Sequence, residues 1–414
     1  SHFAGRMASQ VLDEAKETIG SYFGVSGDFV VLTSGATEAN NLAILGGARK
    51  MRELNPEKQT GFISPLEHKC VANSAQELVL EGITVETLPY CPKDGVNLDF
   101  LSENISKNAC FVSIMAANNE TSDEINFLEA AKIASAEGVF FHSDFSQAML
   151  GKDFDLTNSG VTAISISGHK FQGPMGVGAL ICSQRPSEIL KPLLHGGLQE
   201  DSEVSDKLDK GVVEAYRQIY QSTSPRVIKL IARDECLEAQ IIQALIDETD
   251  LPAFDKKKEL EEILQEEGVR SGTVPVFLAV GLAKAIELVR ENKESRANHL
   301  NTLVDAFLRD LEMACPEIEI NSKNMRGRPG GVNVHAPNID AEELCLALSS
   351  DISVSSSAAC TGTGISASET LLGMGYDIDR ARQSIRLCFA EQHTIEEAKF
   401  AANKIASTIG SLSD

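Results

Sequence analysis

The sequence has no uninterrupted run of about 18 apolar residues, the least that spans a bilayer as a helix, so no membrane-crossing segment is expected. It also lacks positive charge: 37 Lys and Arg stand against 60 Asp and Glu, for a formal net charge of −23. Such an acidic surface repels phosphate backbones and anionic lipid, which argues against direct nucleic-acid binding and membrane association. Paired cysteines are missing as well. The nine cysteines are scattered, odd in number and never spaced Cys-x-x-Cys, which argues against a disulfide framework or a zinc knuckle. No metal site is expected, and most of these thiols should simply be buried. Neither an internal repeat nor a low-complexity tract occurs. The opening SHFAGRMASQVLDEAKETIG has helical spacing at Met7, Val11, Leu12 and Ala15 without the apolar core of a signal peptide, so the expected compartment is the cytoplasm.

What is present is a chain of 414 residues, 43% hydrophobic, long enough for two domains. Short apolar runs recur between helical patterns: FVVL from Phe29, GFIS from Gly61, ITVETL from Ile83, CFVSIM from Cys110, VFFHSD from Val139, AISIS from Ala163 and VGALIC from Val177. This alternation predicts an α/β fold with a mostly parallel seven-stranded sheet wrapped by helices, and ligands gather beyond the carboxyl ends of such strands. Residues 201–267 hold 17 Asp and Glu against 9 Lys and Arg with helical spacing, and read as an acidic helical insertion. A helix-rich tract follows, then PGGVNVHA and ISVSSSAAC as strands and a last helix from Thr394. The expected division is a large domain over 1–293, carrying the insertion, and a smaller C-terminal α/β domain over 294–414.

The residues after the strand runs are polar in a particular way. SISGHKFQGPMGVGAL places Lys170 between Ser-Gly-His and a Gly-Pro turn. A lysine amine forms a Schiff base with an aldehyde, and a protein that uses pyridoxal phosphate must also supply a carboxylate for the pyridinium nitrogen and a cup for the phosphate. Asp144 ends the run FFHSD and suits the ring nitrogen; Gln147 follows as a donor to the ring hydroxyl. In TSGATEANN, Ala36 and Thr37 would offer backbone N–H groups and a hydroxyl to a phosphate at a helix start. Ser167 and His169 add donors beside the lysine. Taken singly, each has a plainer reading: Lys170 as a surface lysine, Asp144 as a turn residue, Thr37 or Ser34 as an N-cap. Their joint occurrence at successive strand ends favours a cofactor site.

The ordered set TSGATEANNLAI, EHKCV, MAANNET, FHSDFSQ, SGHKFQGPMGVGAL, LHGGLQE, RSGT, SSSAAC and SIRLCF resembles the motifs of the cysteine desulfurases, pyridoxal-phosphate enzymes of the class V aminotransferase family with fold type I. The resemblance covers nearly the whole chain outside 201–267. It implies that Lys170 is the Schiff-base lysine, that Asp144 and Gln147 hold the ring, and that His68 stacks on it and moves protons. It further implies that Asn119 lies near the ring hydroxyl and the substrate carboxylate, that Arg386 grips that carboxylate, and that Thr273 reaches the phosphate of a neighbouring subunit in a homodimer. Without the resemblance, His68 reads as a structural histidine and Arg386 as a strand cap or surface ion pair.

Cys360 lies among small residues in VSSSAACTGTGISASE, a composition suited to a mobile loop. By position alone it would be an inert thiol. The resemblance makes it the nucleophile that takes sulfur from L-cysteine as a persulfide, leaving L-alanine, and passes it to an acceptor protein such as an iron–sulfur scaffold. The alternatives are a selenocysteine lyase or aminotransferase-like lyase of the same family, or a degenerate cofactor-binding interaction protein. Three departures from the family pattern stand out: Phe145 where alanine is usual, Leu198 where a third glycine is usual, and Ser357-Ala358 in place of Gly-Ser. The resemblance also begins at SHFAG, downstream of a strand and turn with which the family helps to complete its small domain.

Overall fold

The computed structural model describes residues 3–151, 153–195, 269–323, 327–356 and 367–413. By its contacts the chain divides into one unit of Ser1–Leu193 with Pro275–Asp414 and another of Leu194–Val274. The acidic segment 201–267, Leu198, the Ser357-Ala358 pair and Cys360 lie outside the described residues.

All seven apolar runs form strands: β1 Val30–Thr33, β2 Thr60–Ile63, β3 Thr84–Thr87, β4 Ala109–Ser113, β5 Phe140–Asp144, β6 Ala163–Ser167 and β7 Gly178–Cys182. They make one sheet in the order β1-β7-β6-β5-β4-β2-β3. The pairs from β6 through β5, β4 and β2 to β3 are parallel, whereas β7 runs antiparallel to both β6 and β1. Every residue of β1, β4, β5, β6 and β7 is buried or nearly so, as expected where helices cover both faces of a sheet. Because β1 and the parallel strands end at the same edge, the polar residues after them are brought together there.

The helix-rich tract is a single helix, Val276–Ala314, of 39 residues, and the expected boundary near residue 293 falls within it. It leads to a second sheet, all antiparallel, in the order β10-β11-β9-β8, with β8 Glu319–Ile320, β9 Gly331–His335, β10 Ser355–Ser356 and β11 Ser384–Cys388. Leu303 and Phe307 of the long helix, Val332 and Val334 of β9, and Ile385 of β11 share a buried cluster with Ile405 of the last helix, Ile395–Ser413. Burying side chains of this size contributes about 1.5–3 kcal/mol each. Among the described residues no helix is long and apolar enough to cross a membrane.

Of the seven described cysteines, all free, only Cys110, Cys182 and Cys315 are buried; Cys70, Cys91 and Cys345 are half-buried and Cys388 is exposed at the end of β11. The expectation of mostly buried thiols therefore holds only for those three. Phe145, the departure after Asp144, is buried edge-to-face against Phe23 and Phe127 and at a shallow tilt against Phe154. Successive residues of an extended segment point to opposite sides, so its ring packs away from the face that Asp144 serves.

Candidate active site

A cavity of about 520 Å³ opens at the carboxyl edge of the large sheet. Its walls include Ala36, Thr37, His68, Asn119, Asp144, Gln147, Ser167, His169, Lys170 and Arg386, which are ten of the twelve residues expected from the sequence. Of the other two, Cys360 is outside the described residues and Thr273 is exposed in the unit Leu194–Val274.

One end of the cavity is built by strand ends. After β1 the chain turns at Gly35, whose φ of 152° with ψ of 180° suits glycine alone, into the helix Ala36–Asn41. Gly35, not Thr37 or Ser34, is the N-cap, and no side chain caps the helix. The Ser34 N–H instead donates to the Glu38 carboxylate at 2.7 Å. A helix start with no side-chain cap is in keeping with a phosphate cup. Ser167 Oγ lies 3.1 Å from His169 Nδ1 on the turn Gly168–Phe171 that carries Lys170. The Lys170 side chain opens to the cavity but is walled by protein. That desolvation, followed by the charges of Arg328 and Arg386, lowers its pKa below the ordinary lysine value, against the opposing pull of Asp144.

Asp144 is held from below. Its Oδ1 accepts the Ser146 N–H at 2.9 Å and its Oδ2 accepts from Asn40 Nδ2 at 2.7 Å. The same Asn40 amide donates to Cys70 Sγ at 3.1 Å, and Cys70 Sγ is 3.0 Å from His68 Nδ1. His68 Nδ1 also accepts the Cys70 backbone N–H at 3.2 Å as the N-cap of Lys69–Leu80, so the proton of the neutral ring sits on Nε2. Burial first, then the nearby charges of Asp144 and Glu67, push the Cys70 thiol up to about 11, so it remains protonated. Two residues before Asp144, buried His142 bridges Ser113 Oγ at 2.8 Å and Ser165 Oγ at 2.9 Å, and burial pushes its pKa down to about 4. Glu67 accepts the Met115 N–H at 2.7 Å and is held by burial well above the usual carboxylate range.

The opposite end is built by the second sheet. Arg386, on β11, donates through Nη1 to the Asn119 carbonyl oxygen at 3.1 Å. The adjacent Glu120 carboxylate accepts from Ser368 and Thr370, and burial raises its pKa. Arg328 also lines the cavity.

Asn40, Glu67, Cys70 and Arg328 were not singled out from the sequence. Only Asn40 leaves a signal there, as an amide whose helical neighbours Ala36, Ala43 and Ile44 are otherwise small or apolar; it is fully buried. The donor set fits pyridoxal phosphate: a helix start without a side-chain cap, with Ser167 and His169, for a phosphate, a buried carboxylate held as an acceptor for a ring nitrogen, and an amine of lowered pKa in the same cavity. The buried Asn40 Oδ1, without a partner, sits beneath the same wall.

Comparison with known proteins agrees with this geometry. The family model described as "Aminotransferase class-V" matches residues 1–245 and 253–400. The chain is 30% identical over 415 aligned positions to "Cysteine desulfurase IscS" of Rickettsia bellii, covering 100% of this chain and 84% of that protein. A solved "NifS-like protein" superposes with a TM-score of 0.74 at 25% identity, covering 99% of this chain and 90% of the other. The apo cysteine desulfurase of Thermococcus onnurineus shares the fold, with a TM-score of 0.72 at 18% identity over 99% of this chain and 86% of its own. With the site and these likenesses together, the chain belongs to the class V aminotransferase family, in the branch of the cysteine desulfurases.

Proposed function

We propose that this protein is a pyridoxal-phosphate-dependent cysteine desulfurase that converts L-cysteine to L-alanine and carries the sulfur as a persulfide on Cys360. The observation that supports this most directly is the convergence of ten expected residues on one cavity with a carboxylate, an amine and a guanidinium in complementary places. When bound, the cofactor would supply an aldehyde for the substrate amine and a ring able to take up an electron pair. Lys170 would hold the cofactor covalently and then, with its lowered pKa, act as an amine able to accept a proton at Nζ. Asp144, fixed by Asn40 and the Ser146 N–H, would face the ring nitrogen as a carboxylate. His68 would lie over the ring, its Nε2–H set by the acceptor role of Nδ1. Arg386 would hold the substrate carboxylate beside Asn119. The Cys360 thiolate would attack the substrate sulfur, forming an S–S bond as the substrate's C–S bond breaks with its electron pair remaining on carbon, which a proton then completes to alanine.

The same reading includes a homodimer, in which Thr273 would reach the partner's phosphate. An apolar patch supports it: Met175, a cavity wall residue, is 81% exposed, and Phe277 and Val280 at the start of the long helix are 76% and 41% exposed. The turn before Met175 packs on that helix, because a Cβ at Gly281 would lie 2.5 Å from the Pro174 ring. Exposed apolar side chains of this size, clustered, mark protein contact sites. The free thiols suit a reducing compartment, taken here as the cytoplasm. An acceptor such as an iron–sulfur scaffold would discharge Cys360.

The experiment is a single-turnover reaction of the cofactor-loaded protein with L-cysteine, read by mass spectrometry of the Cys360 peptide and by alanine release. An added sulfur on that peptide, with Cys360→Ser still binding cysteine but losing alanine and sulfide production, is the expected result. Alanine formed at an undiminished rate by Cys360→Ser would replace the persulfide reading with a lyase.

A further inference from the structure

The cavity contains one cation more than the reaction described above employs. His169 and the helix start suit the phosphate, Lys170 the aldehyde, and Arg386 the substrate carboxylate. Arg328 has no assigned task, yet its position is built with care. It opens the turn Arg328-Pro329-Gly330-Gly331, with the Gly331 N–H donating to the Arg328 carbonyl at 3.4 Å and Gly330 at a φ of 86°. Proline second and a positive-φ glycine third are what a type II turn requires. The Arg328 N–H donates to the Ser122 carbonyl at 3.2 Å. The flanking glycines are pressed onto the same loop: a Cβ at Gly327 would lie 2.7 Å from Glu124 Cα, and one at Gly331 2.0 Å from Ser122 Oγ. The turn is thereby fastened to the segment that carries Asn119.

From this anchor Arg328 Nη1 reaches the Asn119 carbonyl oxygen at 3.5 Å, the atom that Arg386 Nη1 meets at 3.1 Å. Two guanidiniums thus converge on one carbonyl oxygen. Among the described residues no carboxylate forms an ion pair with either, and Glu120, whose charge Arg386 feels, has its carboxylate engaged by Ser368 and Thr370. Both arginines also depress the pKa of Lys170, Arg328 ahead of Arg386, which sets both charges close to the reacting end of the cavity. Paired guanidiniums with no ion-pair partner among the described residues favour an anion that both can reach, and a planar carboxylate offers two oxygens to two forks.

Resting on the desulfurase reading for the identity of the substrate, we propose that Arg328 is a second guanidinium of the substrate subsite, and that Arg328 and Arg386 hold the carboxylate of the amino acid between them. The test is equilibrium titration of the cofactor-loaded protein with L-alanine, with ethylamine as the same ligand without its carboxylate and L-aspartate as the same ligand with a second acid. Arg328→Ala is expected to raise the Kd of L-alanine and L-aspartate alike by about 10- to 100-fold, the effect of losing one charge-assisted hydrogen-bonding partner. The Kd of ethylamine should not move, and Arg328→Lys should recover part of the loss. An unchanged Kd for L-alanine would overturn the proposal, as would an equal loss for ethylamine, which marks a merely structural arginine. A loss confined to L-aspartate would also overturn it, because Arg328 would then read a second acid. Should Arg328→Ala fail to fold, Arg328→Gln with the same ligands decides the matter. If the wild-type protein binds L-alanine in this arginine-dependent way yet releases no sulfide from L-cysteine, the desulfurase reading fails and the clamp stands.

Discussion

The two ends of the cavity are made differently. The end formed by Thr37, Asp144, Ser167, His169 and Lys170 is a row of strand termini, each side chain delivered by the strand just before it. The end formed by Asn119, Arg328 and Arg386 is assembled across the chain, with Arg386 and Asn119 in contact although 267 positions apart. The first end can be read one motif at a time. The second exists only when the small antiparallel sheet meets the loop after β4. The first end therefore suits retention of a cofactor and the second discrimination among substrates, since each is held by a different sheet.

The sharpest way to break this division is at Lys170. Lys170→Ala is expected to reduce alanine formation from L-cysteine to background while the protein still folds and the carboxylate end still binds L-alanine added with free cofactor. Reduction with borohydride followed by peptide mapping should label Lys170 in the wild-type protein; a label on another lysine would remove the assignment. Next in size is Asp144→Asn. It should retain the cofactor through the phosphate cup and the lysine but slow turnover by about 100- to 1,000-fold, the scale of losing one preorganised electrostatic partner. Retained cofactor absorbance with near-wild-type turnover would count against the role. The smallest effect belongs to the other end. Arg386→Ala should raise KM for L-cysteine by about 10- to 100-fold with cofactor affinity unchanged. A loss of cofactor from Arg386→Ala would show that the two ends are one.

The charge coupling gives that last variant a second readout. Arg386 lowers the Lys170 pKa and Asp144 raises it. Removing the arginine favours the protonated amine, so the pH at which Lys170 becomes reactive toward an amine reagent in cofactor-free protein should move up. Asp144→Asn removes the opposing charge and should move it down.

How much of this was legible beforehand follows the same division. Seven apolar runs became seven strands with little change at their ends, because buried strands are rich in apolar residues, and the polar ones that β4, β5 and β6 do bury, such as Ser113, His142 and Ser165, are hydrogen-bonded to one another. Most of the residues that line the cavity at the cofactor end stand at or just after the ends of these strands. Cys70 and Glu67 were not legible: the one reads as a half-buried thiol and the other as one acid among 60 Asp and Glu. Their roles arise from Asn40 and the Met115 N–H, which are distant in sequence. The plainer reading of TSGATE, with Thr37 or Ser34 as the N-cap, follows capping preference for a hydroxyl, whereas the N-cap is Gly35. Here the turn needs a φ of 152° at residue 35, which glycine alone adopts readily, and a Cβ at Gly178 would lie 2.7 Å from Gly35 Cα.

By itself, then, the sequence determined the order of strands and helices, the row of polar residues at the strand ends, and the identity of the lysine and carboxylate that line one cavity. These follow from local rules: the period of burial and the chemistry of the residue after a strand. Only the tertiary structure decided that Arg328 stands beside Arg386, that Asn40 links Asp144 to Cys70 and His68, and that the ring of Phe145 turns away from the site. Each depends on which distant segments pack together, and hydrogen bonds and charges a few ångströms apart leave no periodic trace in the chain that carries them.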